Sequence, residues 1–114
     1  MAKGEYLGDF EQLVMLAVMR LGEDAYGMAV RREIETRSER RVSLGAIYAT
    51  LDRLEDKGFV SSALGETTRE RRGRAKRFFR AQAPGVRALQ NALGSLDRMR
   101  KGIKELDHPI GAES

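Results

Sequence analysis

Catalysis has little to work with in this chain. Its 114 residues hold one histidine, His108 beside Pro109, and no cysteine, so thiolate nucleophiles, thiolate metal sites and disulfides are excluded. The Ser61–Ser62 pair has no identifiable base, and no acid cluster shows metal-ligand spacing. The glycine-containing stretches match neither the phosphate-loop nor the dinucleotide fingerprint. No enzymatic activity, metal or cofactor is expected. The chemistry that is concentrated is cationic. Arg69 to Arg80, RERRGRAKRFFR, carries Arg69, Arg71, Arg72, Arg74, Lys76, Arg77 and Arg80 against the single acid Glu70. The formal net charge is +4, so most of the surplus sits in this stretch. A concentrated patch is what phosphate neutralisation requires; a solvated loop that aids solubility is the plainer alternative.

A cationic patch reads nothing unless a neighbouring element can enter a groove. Val42 to Gly58, VSLGAIYATLDRLEDKG, predicts a helix with both a start and a stop signal. Ser43 can accept a hydrogen bond from a free first-turn N–H, and Val42 can pack on Ile47 as a staple. Lys57 suits the negative helix terminus, and Gly58 can take the left-handed conformation that ends the helix. Leu44, Ile47, Leu51 and Leu54 form one apolar stripe. The opposite face is small, with Gly45, Ala46 and Ala49, flanked by Tyr48 and Thr50, and with Asp52 and Arg53 further along. Alone, this reads as a core helix with a small solvent face; beside the basic stretch it reads as a recognition helix for DNA.

The remaining elements supply the frame. Asp9 is expected to cap a helix to about Leu21, with Phe10, Leu13, Val14, Ala17, Val18 and Leu21 on one face and Met15, Leu16 and Met19 on a second. That second face implies burial, a subunit interface or the wall of a ligand pocket. Asp24 is expected to cap a second helix carrying Tyr26, Ala29, Val30 and Ile34 inward and Arg31, Arg32, Glu33 and Glu35 outward, with a polar turn from Glu35 to Val42. Residues 59–64 and 74–81 predict two strands around a polar, basic tip bounded by Gly65 and Gly73. Pro84 then opens a last helix reaching about Leu106, whose Leu89, Leu93, Leu96 and Ile103 recur with alternating steps of three and four, interrupted by Arg100 with Met99 beside it. A dimer seam is the favoured reading of this row, packing back on its own domain the alternative.

The expectation is a mostly α winged helix-turn-helix domain over residues 9–82, three helices plus a two-stranded β-hairpin wing. A long C-terminal dimerisation helix follows over 83–106, with flexible tails at 1–8 and 107–114. Hydrophobic content of 41% with 33% charged residues fits a folded domain, and no apolar run approaches membrane-spanning length. A cytoplasmic protein is expected.

With those residues in hand, the chain resembles the PadR family of bacterial transcriptional regulators over about residues 8–105. The resemblance rests on Tyr26-Gly27, then SLGAIYATLDRLEDKGFV, then GRAKRFFRAQAPG. The family's Gly-x-x-Tyr-x-x-Leu-x-x-Leu-Glu core is met by Gly45, Tyr48, Leu51, Leu54 and Glu55, with Gly58 after it; its wing strand is met by Gly73, Arg74 and Lys76. Ala75 stands where the wing often has proline, Phe79 where tyrosine is usual, and AQAPG replaces a typical Leu-Thr-x-x-Gly. The resemblance implies a homodimeric repressor bound to double-stranded DNA at a near-palindromic operator. It implies DNA contacts from Ser43, Gly45, Tyr48 and Arg53 in the helix, and from Arg74 and Lys76 in the wing, with Arg71 and Arg72 in the same basic tip. The dimer residues would be Leu89, Leu93, Leu96, Met99 and Ile103. Relatives that stack a flat ligand between tryptophans have no counterpart here, because the chain has no tryptophan. A small hydrophobic effector would instead meet Met15, Met19, Leu96 and Met99, residues that core or interface packing also explains. The alternative to a regulator is a protein–protein adaptor with nonspecific nucleic-acid affinity.

Overall fold

The computed structural model describes residues 6–67 and 75–107. Helix α1 (Asp9–Leu21) is capped one residue earlier than expected. Gly8, in extended conformation, precedes the first turn, and its N–H donates to Glu11 Oε1 at 2.7 Å. Asp9 therefore lies inside the helix, where its charge suits the positive terminus. Val14, Met15, Ala17 and Val18 are buried, whereas Met19 is 44% exposed. Gly22, at φ 58°, ends the helix, and a short 3₁₀ turn over Gly22–Asp24 follows.

Helix α2 (Gly27–Ser38) begins at Tyr26 rather than at Asp24, and no side chain caps it. It runs further than the polar pattern suggested and stops where Glu39 takes a left-handed conformation, φ 59°. The turn to the next helix is held by Glu35, whose Oε2 accepts the Val42 N–H at 3.0 Å. Helix α3 (Leu44–Asp56) has the expected ends. Ser43 Oγ accepts the Ala46 N–H at 3.0 Å, and Gly58 at φ 77° donates its N–H to the Glu55 carbonyl. Ile47, Leu51 and Leu54 are fully buried. Thr50 is also buried, at 2% exposure, although its hydroxyl placed it with the outer face on paper. Arg53 Nη2 donates to that hydroxyl at 3.2 Å, which offsets its desolvation.

Strands β1 (Val60–Thr67) and β2 (Ala75–Ala81) pair antiparallel, with Val60 opposite Ala81, Ser62 opposite Phe79 and an irregularity between Leu64 and Thr67. Tyr26 adds an isolated bridge to Phe78, and the Phe79 N–H donates to the Ala25 carbonyl at 2.8 Å. The start of α2 is thereby stitched to the wing strand. Helix α4 (Ala83–Arg100) has Pro84 in its first turn, and a Cβ added at Gly85 would overlap the Phe59 carbonyl oxygen. Glycine is what lets the helix root sit this close. The helix is shorter than expected: Gly102 turns at φ 86° and a 3₁₀ turn, Lys104–Leu106, follows. Ile103 therefore lies beyond the helix.

One buried charge braces the ends of α1 and α3. Glu11 is 7% exposed and receives Lys57 Nζ at 2.9 and 3.0 Å on its two oxygens, with Arg53 Nε at 3.6 Å. Lys57 Nζ also donates to the Tyr6 carbonyl at 3.0 Å. Burial alone would raise the Glu11 pKa, but the Gly8 N–H, the Lys57 hydrogen bonds and the two cations outweigh it, and the net shift is downward. The ionised form is the one folding favours. Its contribution is complete above the unfolded-state pKa of about 4.3 and disappears as pH falls through the lower folded-state value. Glu11→Gln is expected to lose about 1.5–3 kcal/mol at neutral pH. Urea unfolding at a series of pH values should show the gap to wild type closing below about pH 4.3.

Candidate nucleic-acid interface

The outward face of α3 is built from what the inward stripe leaves over. Ser43, Gly45, Ala46 and Ala49 are exposed. Among the described residues a Cβ added at Gly45 meets nothing within 4 Å, so no described packing requires glycine there. The helix thus presents a flat, small-residue face with its capped N-terminus open to an incoming surface.

Tyr48 closes one side of this face. A Cβ added at Gly27 would overlap its ring carbon Cζ and its hydroxyl oxygen, so the phenol lies directly on the first turn of α2. This explains Gly27 physically: any side chain there would push the Tyr48 phenol away. Arg53, on the other side, is 56% exposed but already engaged by Thr50 and Glu11. Its guanidinium has donors left over.

The basic stretch resolves into distinct roles. Arg71, Arg72 and Arg74 lie outside the described residues. Arg77 faces inward, donating to Asp52 Oδ1 at 3.0 Å, Glu55 Oε1 at 2.6 Å and Ser62 Oγ at 3.2 Å, with its guanidinium 4.8 Å from the Phe79 ring centroid. Partial burial would lower its pKa, but the two carboxylates raise it on balance; Glu55 is lowered, by its Ser62 hydrogen bond first and by Arg77 after it. Arg77 is therefore a strut between wing and α3, and its charge is spent there. Arg80 stands 3.5 Å from Glu23. Lys76 turns the other way, its Nζ 3.9 Å from the Tyr26 ring centroid.

Spacing alone predicts Tyr26 on the core face and Arg32 facing outward. In the fold they meet. Arg32 Nη2 donates to the Tyr26 hydroxyl at 2.9 Å, and the Tyr26 ring sits edge-on to Phe78 at 5.7 Å. The phenol pKa is lowered, first by the Arg32 hydrogen bond and further by the charges of Lys76 and Arg32. The bridge between Tyr26 and Phe78 is what makes a core-patterned tyrosine a surface group, and no local signal announces it.

The hydrophobic candidates also divide. Leu93, Leu96, Met99 and Ile103 are 37%, 56%, 77% and 43% exposed. Leu89 is a correction: at 3% exposure it belongs to the core of the chain itself and offers no seam surface. Met15 is another, because it is fully covered by that core and presents nothing to a ligand, while Met19, Leu96 and Met99 remain exposed. Among the described residues no cluster of His, Asp or Glu could hold a metal, and no helix is long and apolar enough to cross a membrane.

Three helices, the third of them capped and open on its outer face, and an antiparallel hairpin stitched to the second define a winged-helix protein with a C-terminal helix. Residues 15–91 match the transcriptional regulator PadR-like family, and the chain belongs to that family. Solved structures share the fold at low identity. A PadR family transcription regulator from Clostridium difficile superposes with TM-score 0.70 at 18% identity, over 86% of this chain and 97% of that one. A PadR-like transcription factor from Bacteroides fragilis gives 0.68 at 20%, over 84% and 87%. A PadR family regulator from Eggerthella lenta gives 0.65 at 23%, over 83% and 80%. No curated protein matches the chain in sequence.

The contact between Gly27 and Tyr48 is directly testable. Gly27→Ala displaces the free end of one side chain rather than backbone, and Ala is favoured over Gly in helices by up to about 1 kcal/mol. The melting temperature should stay within a few degrees of wild type while the NMR signals of the Tyr48 ring shift. An unshifted ring would refute the packing described.

Proposed function

We propose that the chain is a homodimeric, sequence-specific transcriptional repressor that acts in the cytoplasm on near-palindromic double-stranded DNA. The observation that carries this reading is the outer face of α3, small-residued, capped and unused by the fold, lying beside a wing strand whose Lys76 points away from the core pairs. Ser43 and the first turn of α3 suit a phosphate, Gly45 permits close backbone approach, and Tyr48 donates to a phosphate oxygen. Arg53 uses its remaining donors on phosphate or a guanine edge. Arg71, Arg72 and Arg74 belong to the wing tip and add phosphate contacts in this reading.

The dimer reading is supported by the exposed row Leu93, Leu96 and Met99 on α4. A row of this kind left in water is costly, and a two-fold partner would cover it with its own copy. A small hydrophobic effector would meet Met19, Leu96 and Met99, where the flexible methionine thioethers adapt to varied shapes.

Binding-site selection from random duplex DNA, at two salt concentrations, should recover an inverted repeat with half-sites about one helical turn apart. Recovery of no motif, with affinity that collapses as salt rises, would favour the adaptor reading instead. On the selected duplex, Tyr48→Phe should weaken binding about tenfold, the scale of one hydrogen bond to a charged group. Leu96→Asp should raise the dimer dissociation constant at least about a hundredfold in sedimentation, since each Leu counts twice across a two-fold interface. Unchanged association would refute the α4 seam.

A further inference from the structure

Arg32 and Lys76 stand apart from the cations around them. Arg20, Arg31, Arg37, Arg53, Lys57, Arg77 and Arg80 each lie within 4.0 Å of a carboxylate. Within α2 the acids are already taken, Glu33 by Arg20 and Arg37, and Glu35 by Arg31 and the Val42 N–H. Among the described side chains neither Arg32 nor Lys76 has a carboxylate partner. Instead both converge on one phenol, with the Arg32 guanidinium carbon 5.9 Å and Lys76 Nζ 3.9 Å from the Tyr26 ring centroid.

We propose that Tyr26, Arg32 and Lys76 form a phosphodiester clamp that grips the DNA backbone between the recognition helix and the wing. This rests on the DNA-binding reading above and adds Tyr26 and Arg32 to it, joining them with the wing residue Lys76 in one site. The hydrogen-bond inventory fits an anion. The Tyr26 hydroxyl accepts from Arg32 and keeps its own proton to donate outward, Arg32 has further N–H groups, and the ammonium of Lys76 brings three more. A tetrahedral phosphate has acceptor oxygens for all three donors, and charge-assisted hydrogen bonds of this kind are the strong ones. As an internal contact alone, a cation over a ring is a weak interaction that leaves most of the hydrogen-bonding capacity unused.

Position identifies the phosphate as one from a duplex. Tyr26 is bridged to Phe78 of the wing strand, and the next residue, Gly27, carries the Tyr48 phenol of α3. The clamp therefore lies between the two elements that would straddle a groove, where one strand's backbone must pass. Contacts of this kind fix register and carry no sequence information.

The test uses the full-length protein and fluorescence anisotropy over a range of salt, with a duplex selected from a random pool and an unrelated duplex. Arg32→Ala should weaken both duplexes alike, about fivefold near physiological salt, and reduce the salt slope by about one. Tyr26→Phe keeps every charge and the ring packed on Phe78. It should weaken both duplexes with the slope unchanged, which a purely electrostatic role would not produce. Melting temperatures of both variants serve as the folding control, since Arg32 is exposed and Tyr26→Phe removes one oxygen. If wild type prefers its selected duplex and both variants match it in affinity and slope, the clamp is wrong while the regulator reading stands. Loss confined to the selected duplex would also overturn it, by making these residues base readers. If wild type binds neither duplex, both proposals fall.

Discussion

Helix α3 has to serve two surfaces with a single circumference, and most of the architecture follows from that constraint. Its 13 residues devote Ile47, Leu51, Leu54 and Thr50 to the core. What remains outward is narrow, so the residues there are small or are held by neighbours. Tyr48 is the largest of them, and it has room because α2 begins with Gly27. Arg77 fixes the helix from the far side through Asp52 and Glu55, so the hairpin is carried at a set angle to α3. The ion pairs are half exposed and contribute little to overall stability. Their consequence is geometric: three oxygens from two elements converge on one planar guanidinium, which admits few alternative arrangements.

The same accounting shows why net charge is a poor guide to an interface. The stretch from Arg69 to Arg80 looks uniformly cationic in sequence, yet Arg77 is consumed by the fold and Arg80 is placed beside Glu23. Meanwhile Arg32, forty-four residues before Lys76 in the chain, arrives at the same phenol. Counting cations in a window overstates one region and misses another. What matters is which cations lack a carboxylate once the fold has assembled, because a cation already paired gains less from a phosphate.

Legibility in the sequence followed the range of the signal. The ends of α3 were readable because Ser43 and Gly58 act within a few residues of themselves. The starts of α1 and α2 fall away from Asp9 and Asp24, which are good caps, because Glu11 takes the Gly8 N–H and the bridge to Phe78 holds Tyr26. The α4 repeat was visible, but its division was not: Leu89 is covered and Leu93 is not, since the helix leaves the domain between them. The helix end is hard to read because Ile103 resumes the apolar spacing beyond the interruption at Arg100. The roles of Tyr26, Arg32 and Arg77 were unreadable in principle, each being defined by a partner distant in the chain.

The root of α4 links the two halves of the proposed function. Gly85 rests against Phe59, and the Gln82 N–H donates to the Phe59 carbonyl at 2.9 Å. The Phe59 N–H in turn donates to the Leu54 carbonyl in the last turn of α3. A short backbone path therefore runs from α4 to α3, through groups too tightly apposed to slide independently. In the proposed dimer, a change in the crossing angle of the two α4 helices would rotate each α3 as part of a rigid unit. The spacing of two recognition helices is what an inverted repeat reads. A ligand wedged at Met19, Leu96 and Met99 would then act on operator affinity without touching the DNA-binding face, provided it binds one crossing angle more tightly than the other.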